Sequence, residues 1–254
     1  MDDATLARLE HENMRAWLAL SCAQVPGALI DEAAGVGIYA TGLPVPLFNQ
    51  VITDDGATQA DLAAAIETMR GRGVGFYPVL RTGRDDHLGP ALERLGLTRD
   101  PGRLPGMALH PIPPDLQTTA AGLDIRLIGD PDGLRDHALT AAAGFEMPAD
   151  LVIPFIGEEL WTRPGASVYV GYADGRPVTS GFGVRTGRTI GVFTIATVPD
   201  ARGRGFGAAM TARAVADGSA AGCDVATLQA SSMGRPIYER MGFRLVQEYD
   251  VYLG

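Results

Sequence analysis

Lysine is missing from all 254 residues: the 21 basic side chains are arginines, set against 30 acids, and the formal charge is -9. A field of that sign repels polyanions, so non-specific binding to nucleic acid or to an anionic membrane surface is disfavoured. Cysteine is nearly as scarce. Cys22 and Cys223 lie far apart with no ligand-spaced Cys or His beside them, which excludes a disulfide framework and a sequence-readable zinc site and leaves each expected as a small buried hydrophobe. His11, His87, His110 and His137 are scattered, none with a histidine at i+3 or i+4, so no metal is expected. Long apolar runs are lacking too. No stretch approaches the roughly 20 apolar residues that cross a bilayer, and Met1-Asp2-Asp3 is acidic where a signal peptide is basic, so a cytoplasmic protein without membrane partners is expected.

The composition, 46% hydrophobic and 20% charged, carries enough apolar material to rule out global disorder, and the length suits two domains. The Pro-rich, then small-polar stretch His110-Pro-Ile-Pro-Pro-Asp-Leu-Gln-Thr-Thr-Ala-Ala-Gly122 marks a composition break. It predicts domains over 1–116 and 123–254 joined by a linker at 117–122. An internal repeat supports two related halves: Pro90-Ala-Leu-Glu-Arg-Leu-Gly-Leu97 aligns with Pro236-Ile-Tyr-Glu-Arg-Met-Gly-Phe243. In both halves a helix-like run and a glycine precede an apolar strand, Val74–Leu80 in the first and Cys223–Leu228 in the second. A shared Gly helix terminator would give part of the same pattern without duplication.

Within the second half, Leu123–Leu127 alternates like a strand, and Asp132–Ala143 and Asp150–Trp161 have helical spacing. Strands are predicted at Ser167–Ala173 and Pro177–Val184, joined by the hairpin signal Asp174-Gly175, and at Thr189–Thr197. A helix follows from Phe206 to about Gly222, then a strand at Val225–Gln229, a short helix around Arg235–Met241 and final strands near Arg244–Val251. Between the third strand and the long helix lies Thr197-Val-Pro-Asp-Ala-Arg-Gly-Arg-Gly-Phe-Gly-Ala208. Gly203, Gly205 and Gly207 let the backbone approach a ligand, and the free N–H groups of a helix start point at it, so the segment reads as an anion site suited to a diphosphate. Its dinucleotide reading, Gly203-x-Gly205-x-x-Ala208, fails on context. The preceding strands form an antiparallel meander, and Asp224 comes before the second strand rather than after it.

The loop resembles that of the GNAT superfamily of acyl-CoA N-acyltransferases, Gln/Arg-x-x-Gly-x-Gly/Ala after a fourth strand, here Arg202-x-x-Gly205-x-Gly207 with Pro199 ahead of it. Further on, Ser231-Ser-Met-Gly-Arg-Pro-Ile-Tyr-Glu-Arg-Met-Gly-Phe243 is similar to the family's Asn-x-x-Ala-x-x-x-Tyr-x-x-x-Gly-Phe, with Ser231 where Asn is frequent. The resemblance covers residues 123–254. It implies an α/β (α+β) fold of two GNAT-like domains, each a mixed, mostly antiparallel sheet flanked by helices, the first of them degenerate. It also implies acetyl-CoA or another acyl-CoA as cosubstrate, and a primary amine of a small molecule or peptide as acceptor, attacked directly. By the same resemblance the backbone of Ile195, Ala196 and Thr197 pairs with pantetheine amides, and the amides of Arg202, Gly203, Arg204, Gly205, Phe206, Gly207 and Ala208 hold the pyrophosphate. Ser231 flanks the pantetheine arm, and Tyr238 donates a proton to the departing thiolate. A core role beside Phe243 is the alternative for Tyr238.

No acid lies on Gly191–Thr197, which leaves Glu158, Glu159 or water as the base. The first half has Leu92 in place of Tyr238 and Asp54-Asp-Gly-Ala-Thr-Gln-Ala60 in place of the glycine loop, and these two carboxylates would repel a diphosphate. Arg70-Gly-Arg-Gly-Val-Gly75 follows a helix rather than opening one and reads as a helix end. A non-catalytic acyl-CoA-binding module, O-acyl transfer and homodimerisation remain open on sequence alone.

Overall fold

The computed structural model describes residues 1–33 and 35–254. In chain order its elements are α1 (Asp3–Cys22), β1 (Leu29–Asp31), β2 (Val36–Ala40), β3 (Asn49–Thr53), α2 (Gln59–Gly71), β4 (Tyr77–Arg81), α3 (Gly89–Arg94) and β5 (Thr98–Leu109). They continue as β6 (Asp124–Leu127), α4 (Pro131–Phe145), α5 (Ala149–Ile156), β7 (Ala166–Ala173), β8 (Arg176–Thr186), β9 (Thr189–Thr197), α6 (Phe206–Ala220), β10 (Val225–Gln229), α7 (Arg235–Arg240) and β11 (Arg244–Leu253).

The chain forms two compact units that are not consecutive segments. Unit 1 comprises Met1–Trp17 and Gly106–Val246, and unit 2 comprises Leu18–Pro105 and Gln247–Gly254. The stretch expected to link two domains therefore lies inside unit 1. Within it Ala120 packs on the cluster of Ala173, Val178 and Phe206, and just ahead of it His110 Nδ1 is 3.0 Å from the carbonyl oxygen of Asp224 while Ile112 and Leu116 pack on the core. A low-complexity sequence can still supply a few anchoring side chains, which composition alone does not reveal.

In unit 1 the strand order is β5-β10-β9-β8-β7-β6. β6 to β9 form the antiparallel meander, β10 joins β9 in parallel, and β5 pairs β10 antiparallel, Ala226 opposite Leu109 and Gln229 opposite Gly106. The hairpin between β7 and β8 turns on Asp174 and Gly175 with φ of 52° and 75°, as a tight primed turn requires. One face of the sheet carries α6, whose Met210 covers Gly181 and whose Gly218 closes on Ile190. The other carries the first part of α1 together with α4 and α5. Trp17 stacks on Phe193 at 5.0 Å and meets Phe182 and Phe155 at 4.8 and 5.9 Å, and Asn13 lies directly over Gly191 and donates to the carbonyl of Val184. Both cysteines are buried, and burial pushes the Cys22 thiol up to about 12.

α4 begins at Asp130, whose carboxylate caps Gly133 N–H, and it buries His137 against β7. Nδ1 of His137 is 3.0 Å from the carbonyl of Tyr169, and burial lowers the imidazole pKa to about 4. The unfolded chain binds this proton near pH 6.5, so the stabilisation is complete above that pH and is lost as pH falls toward 4, by about 3 kcal/mol at 1.36 kcal/mol per unit. Urea midpoints taken between pH 7 and 4.5 should show this loss. In His137→Asn, which keeps a donor near Nδ1 but does not titrate, the slope should flatten.

Unit 2 has the order β1-β2-β3-β4-β11, with the start of β5 beyond β11. β3 and β4 are parallel, Gln50 opposite Tyr77 through Ile52 opposite Val79, and β11 runs antiparallel to β4. The core lies under α2, where Leu62, Ile66 and Met69 meet Val51, Leu80 and Leu92. Thr58 and Asp61 start α2 with a capping box, and the helix ends at Gly71 with Gly73 at φ 68°, the terminator expected of Arg70–Gly75. The order strand, helix, parallel strand, short helix, strand thus occurs twice, as β3-α2-β4-α3-β5 and as β9-α6-β10-α7-β11. The strand that follows α3 pairs with β10 in unit 1, whereas the strand that follows α7 pairs with β4 in unit 2.

Candidate functional site

β9 and β10 share three rungs, Val225 with Thr189, Ala226 with Ile190 and Thr227 with Gly191. Beyond the last rung β9 continues to Thr197 and β10 to Gln229. On its other side β9 stays held by β8, with Ser180 opposite Ala196 and Thr179 opposite Thr197, so its last residues offer a free main-chain edge where β10 has left it. The ladder shifts register between Ser180 and Phe182, and Thr194 there has φ 48°, a left-handed conformation costly for a β-branched residue. An extended ligand bearing amides can add to such an edge as a further strand.

The edge runs through a turn at Pro199–Ala201 into the glycine loop, and α6 starts at Phe206 behind Gly205. Gly203 and Gly205 have φ of 77° and 79°, which L side chains rarely adopt, so glycine is required at both. With glycine at the cap, no side chain serves the N–H groups of the first turn, and the first intrahelical bond comes only at Ala209 N to Gly205 O. A Cβ on Gly207 would lie 3.6 Å from Thr197 Oγ1 and 3.7 Å from the Ile195 side chain, so the edge residues and the helix start adjoin. Ala208 follows in the same turn.

The two arginines of the loop differ. Arg202 donates to Thr197 O, to Gly144 O at 2.8 Å and to Glu146 Oε1 at 3.0 Å, and its own N–H goes to Pro199 O. It braces the loop against the C-terminal end of α4, where a cation is favoured, and does not face outward. Arg204 is exposed, its guanidinium 4.5 Å from the Phe206 ring. The buried Phe206 anchors the helix start.

Tyr238, on α7, packs on the core cluster with its ring 6.0 Å from Phe243. Burial raises the phenol pKa, and a hydrogen bond with Thr211 of α6 only partly opposes this. Thr211 in turn donates to Gly207 O, which connects Tyr238 to the first turn of α6. Ser231 is exposed, and its Oγ accepts from Gly234 N at 3.1 Å, shaping the entry to α7. Glu158 and Glu159 do not lie in a helix. α5 ends at Ile156, Gly157 takes φ 76°, and both glutamates follow it exposed, Glu159 3.8 Å from Arg163. The helical spacing expected through Trp161 is interrupted by that glycine.

At the corresponding ends of β3 and β4 in unit 2 there is an open cavity of about 360 Å³ lined by Asp54, Asp55, Arg81, Arg84, Asp85 and His87, together with Gly56 and Ala57. The buried Arg81 holds Asp85 through two hydrogen bonds of 2.8 and 2.9 Å and reaches Asp55 at 2.7 Å, and Thr53 donates to Asp85 at 2.6 Å. Asp54 and Asp55 stand out in the sequence, but the network they join does not. Its one local signal is an Asp four residues after an Arg, with Gly83 between them at φ 82°. Among the described residues, no group of three His, Cys, Asp or Glu could hold a metal ion, and no helix is long and apolar enough to cross a membrane.

The family model for the acetyltransferase (GNAT) domain matches residues 164–245. No curated protein matches the chain in sequence. Among solved structures, a GCN5-related N-acetyltransferase from Kribbella flavida aligns over 98% of this chain and 95% of its own, with TM-score 0.71 and 18% identity. A functionally unknown conserved protein from Staphylococcus epidermidis aligns over 89% and 94%, with TM-score 0.66 and 17% identity. A tandem GNAT protein from the clavulanic acid biosynthesis pathway aligns over 97% and 95%, with TM-score 0.61 and 10% identity. Residues 164–245 are thus similar to an acetyltransferase (GNAT) domain, and the fold of the chain is that of GCN5-related N-acetyltransferases.

Proposed function

We propose that unit 1 transfers an acetyl or other short acyl group from acyl-CoA to a primary amine of a small molecule or peptide by direct attack. The observation that carries this reading is the free edge of β9 leading into an uncapped, glycine-opened helix start, which fits a ligand with amides at one end and a diphosphate at the other. Acyl-CoA, when bound, supplies the acyl group as an activated thioester. Ile195, Ala196 and Thr197 pair with the pantetheine amides. The N–H groups of Gly203 to Ala208 hold the diphosphate with the helix dipole behind them, and the exposed Arg204 adds charge. Tyr238 is neutral at working pH, as any phenol is whose pKa burial raises further, and a neutral phenol can give its proton to the departing thiolate. Water takes the amine proton, since Glu158 and Glu159 stand exposed beyond α5. Unit 2, whose cavity is walled by three aspartates, is a related domain without a diphosphate site.

Calorimetric titration with acetyl-CoA, followed by a thiol-release assay over a panel of primary amines, tests the reading. Saturable 1:1 binding with turnover of at least one amine is expected. No binding of any acyl-CoA would overturn it, and binding without turnover would mark a non-catalytic acyl-CoA module.

A further inference from the structure

On the face of the unit 1 sheet that carries α1, the gap between β9 and β10 is flanked by Gln229, the last residue of β10. Gln229 lies two residues past the last rung, about 7 Å along the strand at 3.3 Å per residue. It is half-buried, whereas Ala226 and Leu228 are buried in the core cluster with Met210 and Ala214 on the α6 face. Its amide is not free to rotate. Nε2 donates to Oε1 of Glu10 at 2.5 Å, and Glu10 is fully buried on α1. The carboxylate lies over the Gly106–Gln229 rung: a Cβ on Gly106 would come within 2.6 Å of it, so a larger residue there would push the carboxylate from this position.

Because the nitrogen end of the amide is taken by Glu10, the carbonyl oxygen on the same carbon is turned away from it. The chain thus spends a buried carboxylate and a glycine on fixing which end of Gln229 is presented. We infer that Gln229 is the specificity-determining residue for the acceptor, its Oε1 accepting an N–H of a primary amine, and that Glu10 is the positioning residue that holds it. This rests on the acyl-transfer reading of the same site. A primary amine has N–H groups to spare, so one can bond to Gln229 while the lone pair is aimed at the acyl carbon and the proton lost on attack goes to water. An alcohol has a single O–H, which is also the proton it must lose, and a tertiary amine has none. The site therefore selects primary amines over both.

The test compares wild type with Gln229→Leu, Gln229→Met, Glu10→Gln and the exchanged pair E10Q/Q229E. The readouts are acetyl-CoA Kd, the Kd of the best-used amine measured with CoA present, amine KM and kcat, and melting temperature. Gln229→Leu should raise amine KM and Kd about tenfold or more, the loss of one hydrogen bond to a half-buried partner, with acetyl-CoA Kd unchanged. Gln229→Met, nearly equal in length, carries the same expectation should the leucine variant fail to fold. Glu10→Gln should give a smaller rise, because the amide can then turn. The exchanged pair, with a donor at 10 and oxygens at 229, should recover amine affinity. Unchanged amine KM and Kd in both Gln229 variants would overturn the assignment, as would a wild type that binds acetyl-CoA but acetylates no primary amine. No recovery in a stable exchanged pair would overturn the role of Glu10. Absence of acetyl-CoA binding by wild type is separate from all of these and removes the underlying reading.

Discussion

Replacing Tyr238 by Phe is expected to lower kcat about 10²–10⁴-fold, the range of a positioned general acid, while leaving acetyl-CoA affinity unchanged. The ring carries the packing: its edge meets Phe243 at 6.0 Å, and phenylalanine keeps that contact. The hydroxyl bonds with Thr211, and Thr211 retains its own bond to Gly207 O. A fall in kcat with unaltered melting temperature therefore isolates proton donation. A panel of acyl donors with poorer and better leaving thiols sharpens the test, because the penalty should shrink as the thiol becomes more acidic. An unchanged kcat would make Tyr238 a core aromatic and nothing more.

The second large effect lies in unit 2. Arg81→Met should cost about 3–5 kcal/mol, because it strands the buried carboxylate of Asp85. In the native chain burial works against ionisation of Asp85, but hydrogen bonds from Arg81 and Thr53 outweigh it and hold the pKa below the ordinary carboxylate range. That stabilisation is present above the unfolded carboxylate pKa and is lost as pH falls through the lower folded value. In Arg81→Met the sign reverses: Asp85 is left buried without its cation, so acidification relieves the variant. The gap between the two urea midpoints should therefore narrow from pH 7 to pH 4. R81M/D85L, which removes both charges, should recover most of the loss. An Arg81→Met protein as stable as wild type at pH 7 would show that the network contributes nothing to stability.

The parts of the fold legible in the sequence are the local ones. Asp174-Gly175 announced a hairpin because its turn demands left-handed residues, and Gly203 and Gly205 announced an anion loop for the same reason. The helix end at Gly71–Gly73 was equally readable. What escaped was fixed by distant partners. Arg202 belongs to the loop in sequence, but its guanidinium is held by Gly144 and Glu146 from α4, a commitment no spacing rule encodes. Glu10 carries no local sign that it will be buried against Gln229. The composition break at 110–122 gives no sign of its anchors: Ile112, Leu116 and the His110 contact with Asp224 tie its start into unit 1, and Ala120 packs within the expected linker at 117–122. Glu158 and Glu159 fall outside the helix that spacing predicts because the apolar pattern at Val152, Phe155, Leu160 and Trp161 continues across Gly157, where the helix stops.

The exchange of β5 and β11 sets a timetable for synthesis. Most of unit 2 is translated after Met1–Trp17 and before the larger part of unit 1, but its β4, paired with β3, lacks its second neighbour until residues 247–254 have left the ribosome. Until then the Val79–Arg81 edge, which β11 covers in the finished protein, waits unpaired, and open edges of this kind invite pairing with other chains. Folding ahead of the residues that follow it is not available to unit 2.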